Sequence, residues 1–336
     1  SIIIVIISIS FYNTAIKEKR VITIAYTSDL QGVITPHEDP WTKGKPLVGG
    51  SAYLASCIKE ERRNAKMSNG GFFLMDTGNF FSGQAEAYFF KGSPIIEIMN
   101  NLGYDAMALG PKDFAFGQDN LRNLAKTAKF PFLSANIVKE YNAEIVDYAR
   151  PYIINEYKGI KIGIIGITNP LIFPENIKGV KILDPIATVR KYVLALKNAN
   201  TDIIVVLSNL GLEDDKQIAQ KINGINLIIG GNDLRGYRPI GDYVDSKNKT
   251  IIIETWQKGC VCYTIDFLLN KQKRVLKFKH RVRDLWIKDI NPDHEIQAIV
   301  QKYTEAFKEK RKEIIGYAET DLAMSKDGES ALGDWV

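Results

Sequence analysis

Five apolar runs in this chain end the same way, and that repetition limits what the chain can fold into. Residues 21–27 form a β-branched run that stops at Ser28-Asp29-Leu30-Gln31-Gly32. Residues 72–75 run into Asp76-Thr77-Gly78-Asn79, and residues 106–109 into Gly110-Pro111-Lys112-Asp113. Residues 203–207 lead to Ser208-Asn209-Leu210-Gly211, and residues 227–229 to Gly230-Gly231-Asn232-Asp233. Short apolar runs bounded by turn residues read as buried strands. In open α/β sheets, ligands sit beyond the carboxyl ends of the strands. The five polar ends are therefore expected to converge on one site, with the rest of the chain as scaffold.

Helical patterns lie between the strands, over residues 49–63, 94–102, 119–129, 186–199 and 215–223. Ser51 is a candidate N-cap for the first, and Pro94 suits the first turn of the second. With a further strand at residues 161–167, this βα alternation is that of a layered α/β domain. Past Gly230 the pattern changes. Residues 250–255, 261–269 and 274–283 read as successive strands of an antiparallel meander. Residues 292–315 read as a charged amphipathic helix, with Ile296, Ile299, Val300, Tyr303 and Phe307 on its apolar face.

Composition narrows the class further. The chain has 336 residues, 45% hydrophobic and 25% charged, enough for one large core or a domain and a half. A net charge of +5 spread along the chain gives no basic patch for nucleic acid. Cys57, Cys260 and Cys262 make no disulfide framework. Cys260 and Cys262 flank one residue, so they are expected on one face of a strand as small buried side chains. Residues 1–11 are apolar and uncharged, and Lys17, Lys19 and Arg20 follow. Such a run is too short to span a bilayer and fits the apolar part of a signal peptide, the alternative being a core strand. An exported protein is expected, periplasmic or extracellular, with no membrane span in the mature chain.

The order and surroundings of the strand ends resemble the 5′-nucleotidase branch of the calcineurin-like metallophosphoesterases. The resemblance runs from residue 21 to the chain end. It includes Gly49-Gly50-Ser51-Ala52, Glu61-Arg62, residues 100–117, Leu133-Ser134-Ala135-Asn136 and Gly163-Ile164-Ile165-Gly166-Ile167-Thr168. Glu329-Ser330-Ala331-Leu332-Gly333-Asp334 resembles the opening of that family's C-terminal, substrate-binding domain. The resemblance implies an α/β calcineurin-like sandwich, two mixed β-sheets flanked by helices. It divides the chain into a signal-peptide remnant and tail (residues 1–20), a metallophosphoesterase-like domain (21–287), a linker helix (288–316) and the start of a truncated C-terminal domain (317–336).

Enzymes of this family hold two metal ions at these strand ends through Asp, His and Asn ligands. Carried over position by position, the first motif keeps its Asp as Asp29, while Gln31 stands for its His. Asn79 stands for the metal-bridging Asp, and Pro111, Lys112 and Asp113 for the Asn ligand, the catalytic His and the acid. Asn209 replaces a His, and Asn232 and Leu234 replace two more. Proline and leucine cannot ligate, and neutral amides bind transition metals less well than imidazole or carboxylate. No cofactor is expected, the alternative being one weakly bound divalent metal at Asp29.

Lys112 is expected to form an internal ion pair with Asp29 and Asp113, and Arg235 and Arg238 to make an anion-attracting rim. His37 is the histidine near the proposed pocket. His280 and His294 are expected at the surface. Two functions stay open. One is a pseudoenzyme whose pocket at Asp29, Gln31, Asn79, Asn209 and Asn232 binds a nucleotide or other anionic small molecule, or which docks a protein partner in an exported complex. The other is an active hydrolase of nucleotide or other phosphate esters with an altered or single-metal site. It would use Asp29 or Asp113 as base and Lys112 as electrostatic stabiliser.

Overall fold

The computed structural model describes residues 20–40, 42–81, 83–172, 176–232 and 242–312. Its frame is twelve strands in two six-stranded sheets. In chain order they are β1 (Arg20–Thr27), β2 (Gly71–Asp76), β3 (Ala106–Ala108), β4 (Phe132–Leu133), β5 (Tyr152–Tyr157) and β6 (Ile160–Ile167). There follow β7 (Ile203–Ser208), β8 (Leu227–Gly230), β9 (Tyr243–Val244), β10 (Ile251–Glu254), β11 (Val261–Leu269) and β12 (Val275–Asp284). The first sheet runs β12-β11-β1-β2-β3-β4 and the second β9-β10-β8-β7-β6-β5. In each, parallel strands fill one part and antiparallel strands lie at an edge. The sheets are mixed, as expected from the resemblance.

Alternation along the strands decides what faces what. Ile22, Ile24 and Tyr26 of β1 point between the sheets with Phe73 and Met75, meeting Ile162, Ile164, Val205, Leu207 and Ile229 of the second sheet. The outer face of the first sheet packs under α1 (Ser51–Met67), α3 (Ser93–Leu102), α4 (Gly117–Thr127) and α7 (His294–Lys310), with the short α2 (Ala85–Phe89) touching α3 and α7. The outer face of the second sheet packs under α5 (Pro185–Asn198) and α6 (Leu212–Lys221). Burying a Leu, Ile or Phe side chain contributes about 1.5–3 kcal/mol, so these three apolar layers carry the fold.

Four sequence-based expectations are corrected. Residues 250–255 and 261–269 are not neighbours in a meander. β10 runs parallel to β8 in the second sheet, whereas β11 crosses to the first and pairs antiparallel with β1, Arg20 opposite Leu269. Cys260 and Cys262 lie in different apolar clusters, because β11 begins only at Val261 and Cys260 belongs to the preceding turn. Ser51 is the first helical residue of α1 rather than its cap. Gly50, at φ 88°, is the cap, a backbone angle that favours glycine. The charged C-terminal helix is shorter than expected, capped by the side chain of Asp293, which accepts from Ile296 N.

Candidate functional site

The carboxyl ends of β1, β2, β3, β7 and β8 meet at one place. Past the strands, the loops continue to pair. Asp29, Gln31 and Gly32 N–H groups donate to the carbonyls of Gly78, Asn79 and Phe80, and Gly231 N donates to Ser208 O. Asp29, Gln31, Asn79 and Asn232 all adopt left-handed backbone, with φ of 47°, 50°, 57° and 61°. For residues with a Cβ such angles cost about 1–2 kcal/mol each, least for Asn and Asp. Four of the residues singled out from the sequence thus sit in strained backbone within the same loops.

Asn79 is the hub. Its Nδ2 donates to Asp29 Oδ1 at 2.8 Å and to Asn209 Oδ1 at 3.2 Å, and reaches Asn232 Oδ1 at 3.5 Å. Its Oδ1 accepts from Lys112 N at 2.9 Å. The other carboxylate oxygen of Asp29 accepts from Ser28 Oγ at 2.5 Å and from Asn232 N at 2.8 Å. Asn209 Nδ2 donates to Thr77 O at 2.9 Å. Asn79 and Asn209 are fully buried and Asp29 nearly so. Gln31 stands aside from the hub and donates to Gln257 Oε1 at 2.7 Å. Two glycines make room for it. A Cβ on Gly110 would overlap Asn79 Oδ1, and one on Gly231 would overlap Ser28 Oγ.

Asp113 is brought to the site but is already engaged. Its carboxylate accepts from the backbone N–H groups of Asn79, Phe80 and Gly110, each at 2.8 Å. Burial pushes its pKa up to about 7 against those three donors. Lys112 is exposed, and among the described residues its ammonium makes no ion pair with Asp29 or Asp113. The expected internal ion pair is therefore not formed. The 3₁₀ turn Pro111–Phe114 aims the Lys112 backbone N–H inward, at Asn79, and leaves the side chain in solvent. Leu234, Arg235 and Arg238 lie outside the described residues.

Two buried carboxyl groups beside the site had no place in the sequence reading as site groups. Asp76 accepts from Thr27 Oγ1 at 2.5 Å and Gly78 N at 2.7 Å, and burial holds its pKa well above the carboxylate range. Asp215, under β7 and β8, accepts from Ser208 Oγ and shares a hydrogen bond with Glu254, and burial raises it to about 7. A spacing signal for Asp215 existed. It stands three and four residues before Ile218 and Ala219, the buried face of α6.

His280, expected at the surface, is half-buried instead. Its Nε2 lies 2.6 Å from Tyr26 Oη and its Nδ1 2.5 Å from Asp242 Oδ1. Burial lowers its pKa, with Asp242 pulling the other way. This bridge joins β12, the edge of the first sheet, to the start of β9, the edge of the second. His294 is exposed at the start of α7 as expected.

A two-metal centre needs imidazoles and a bridging carboxylate, and the donor set here does not fit one. Asp29 is the only carboxylate in the hub, and an amide N–H of Asn79 points at it. No group of three or more His, Cys, Asp or Glu side chains among the described residues is placed to hold a metal.

Two facing mixed sheets with their strand ends gathered at one acidic and amide-rich cleft define the calcineurin-like phosphoesterase sandwich. Solved structures agree. The 5′-nucleotidase precursor of Thermus thermophilus superposes with a TM-score of 0.76 at 24% identity, over 93% of this chain and 65% of that one. The calcineurin-like phosphoesterase YfkN of Bacillus subtilis superposes with a TM-score of 0.72 at 23% identity, over 88% of this chain and all of that one (100%). Among curated proteins, the snake venom 5′-nucleotidase of Gloydius brevicauda is 33% identical over 218 residues, 63% of this chain and 36% of the relative. That of Crotalus adamanteus is 28% identical over 302 residues, 84% of this chain and 50% of the relative. The chain has the calcineurin-like phosphoesterase fold and is similar in sequence to 5′-nucleotidases. It spans 36% to 50% of the length of those two relatives, and no family model matches it.

Proposed function

We propose that this chain is a non-catalytic member of its family, exported, in which an amide hub replaces the dinuclear metal centre and the domain serves as a binding or structural module. The observation that carries the reading is the Asn79 side chain, which turns an N–H donor toward Asp29 where the family resemblance calls for a bridging carboxylate. Loss of that carboxylate removes the negative charge that holds two divalent cations close together. The hub also satisfies its own polar groups: Asp29, Asn79 and Asn209 hydrogen-bond one another or the adjacent backbone. Uncatalysed phosphate monoester hydrolysis is among the slowest of reactions, and these side chains supply none of the metal-borne charge stabilisation it needs. Lys112, free of ion pairs with the site carboxylates, is the group best placed to attract a nucleotide or other anionic small molecule to the cleft.

Export is supported by the apolar residues 1–11, which fit the core of a signal peptide. The test is elemental mass spectrometry of the purified protein, paired with hydrolysis of AMP and of bis(p-nitrophenyl) phosphate in added Mn²⁺. We expect substoichiometric metal and no turnover. Near-stoichiometric metal with turnover that disappears in Asp29→Ala would overturn the proposal.

A further inference from the structure

Two cysteines that lie far apart in the sequence meet where α1 packs on the first sheet. By the two-residue period of a strand, β11 presents Cys262, Thr264 and Asp266 on one face. This is the outer face, under α1, and Cys262 belongs to the same apolar cluster as Cys57 of α1. Register fixes where along the helix Cys262 lies. It stands opposite Arg283 of β12, and Thr264 stands opposite Arg281. Arg283 donates to Glu60 at 2.7 Å and Arg281 to Glu61 at 2.5 Å. Cys57 precedes those glutamates by three and four residues, so it lies one turn away on the same stripe of α1.

The contact between the two thiols is direct. A hydrogen bond with Cys57, together with burial, pushes the Cys262 thiol up, while the Arg283 guanidinium pulls the other way. Both side chains are buried, at 2% and 4% exposure. Cys260 takes no part. It belongs to the turn before β11 and to the cluster between the sheets, and its thiol donates to Gln257 O at 3.2 Å.

We propose that Cys57 and Cys262 form a disulfide as the chain folds in an oxidising compartment, stapling α1 to β11. Only the compartment is taken from the export reading above. Disulfides form and persist in such surroundings, and a link between residues 205 apart strongly restricts the unfolded chain. The oxidant is a disulfide, RSSR, of a small thiol or of a thiol oxidase. One cysteine thiolate attacks a sulfur of RSSR and releases RSH, leaving a mixed disulfide. The second thiolate attacks the bonded cysteine sulfur and releases the other RSH. Two electrons and both thiol protons pass to the oxidant. The exchange belongs to folding, before α1 seals the pair from solvent.

The full chain, unfolded and refolded in a mixture of reduced and oxidised glutathione, provides the test. Its thiols are alkylated with iodoacetamide in denaturant and counted by intact mass. Of the three cysteines, one is expected to be alkylated, and all three after dithiothreitol. Cys262→Ala is expected to show two alkylated thiols. Cys260→Ala, which alters only the turn, serves as the second variant should the first fail to fold, and is expected to show none. The oxidised chain is expected to unfold at higher urea than the same chain in dithiothreitol. Three alkylated thiols in the refolded chain, a cross-link that survives Cys262→Ala, or alkylated thiols in refolded Cys260→Ala would each overturn the pairing. An equal urea midpoint with and without dithiothreitol would overturn the staple. Because the buffer supplies the oxidant, these failures leave the export reading standing.

Discussion

Replacing Asn79 by Asp restores the carboxylate that the family resemblance calls for, and the hub makes the consequence calculable. The altered atom lies 2.8 Å from Asp29 Oδ1, and Asn79 is fully buried. Two unit charges at that separation repel by roughly 6 kcal/mol at an effective dielectric of 20. The folded chain escapes most of this by keeping a proton on one of the pair. Holding a proton at pH 7 on a carboxyl of ordinary pKa near 4 costs about 4 kcal/mol, which caps the loss. Asn79→Asp should therefore lower the unfolding free energy by about 3–4 kcal/mol at pH 7. In the folded variant the pair's upper pKa is raised above the unfolded value. The folded state thus binds the extra proton, and the deficit shrinks as pH falls toward 4.

The protonated carboxyl would donate to Asp29 much as the amide does. Urea denaturation of the native chain and the variant at several pH values measures the difference directly. The same pair of carboxylates creates an anionic site that the native hub lacks. Millimolar Mn²⁺ should then stabilise the variant more than the native chain, by about 2.7 kcal/mol if the ion is present at 100 times its dissociation constant. Equal stability of the two proteins at pH 7, or a deficit that persists unchanged at pH 4, would refute the assignment of the hub as a charge-poor hydrogen-bonded cluster.

Other perturbations address its surroundings. Asp113→Ala strands three buried N–H donors at about 1–3 kcal/mol each, so a loss of 3 kcal/mol or more is expected, with faster amide exchange at Asn79, Phe80 and Gly110. Asp113 and Asp215 both titrate near 7 in the fold, above their unfolded values. Their contribution to stability is therefore greatest below pH 4 and declines as pH rises to 7, and Asp215→Asn should flatten that part of a urea-midpoint profile. Gly231→Ala drives a methyl into Ser28 Oγ and Thr77 Oγ1 and should cost about 1–3 kcal/mol in thermal or chemical denaturation, with no change in helix content by circular dichroism.

Much of the molecule was legible because its information is local. β-branched runs such as residues 203–207 specify strands without help from distant residues, and the polar ends that follow them do gather at one cleft. Pairing between distant strands was not legible. Nothing near residues 250–269 states that β10 joins the second sheet while β11 returns to β1, since alternation fixes faces and not partners. Direction was equally hidden at Lys112. Its position beside two acids suggested an ion pair, but a single turn of 3₁₀ helix decides that the backbone amide, not the ammonium, faces Asn79. His280 looked like a surface residue in a basic strand. Its partner Asp242 immediately precedes β9 of the other sheet, 38 residues earlier in the chain. The buried acid Asp215 sat within an acidic run, Glu213-Asp214-Asp215, where charge masked its place on the inner helix face.

The hub has a consequence for how the protein reaches its finished form. Where ions join the loops of two sheets, the junction is complete only after the cell delivers them, and a chelator can undo it. Here the atoms that join the loops after β1, β2, β7 and β8 are all encoded in the chain and arrive with it. If the site binds no metal, as proposed, maturation needs no loading step. The domain should take up the same architecture in a metal-starved compartment as in a replete one.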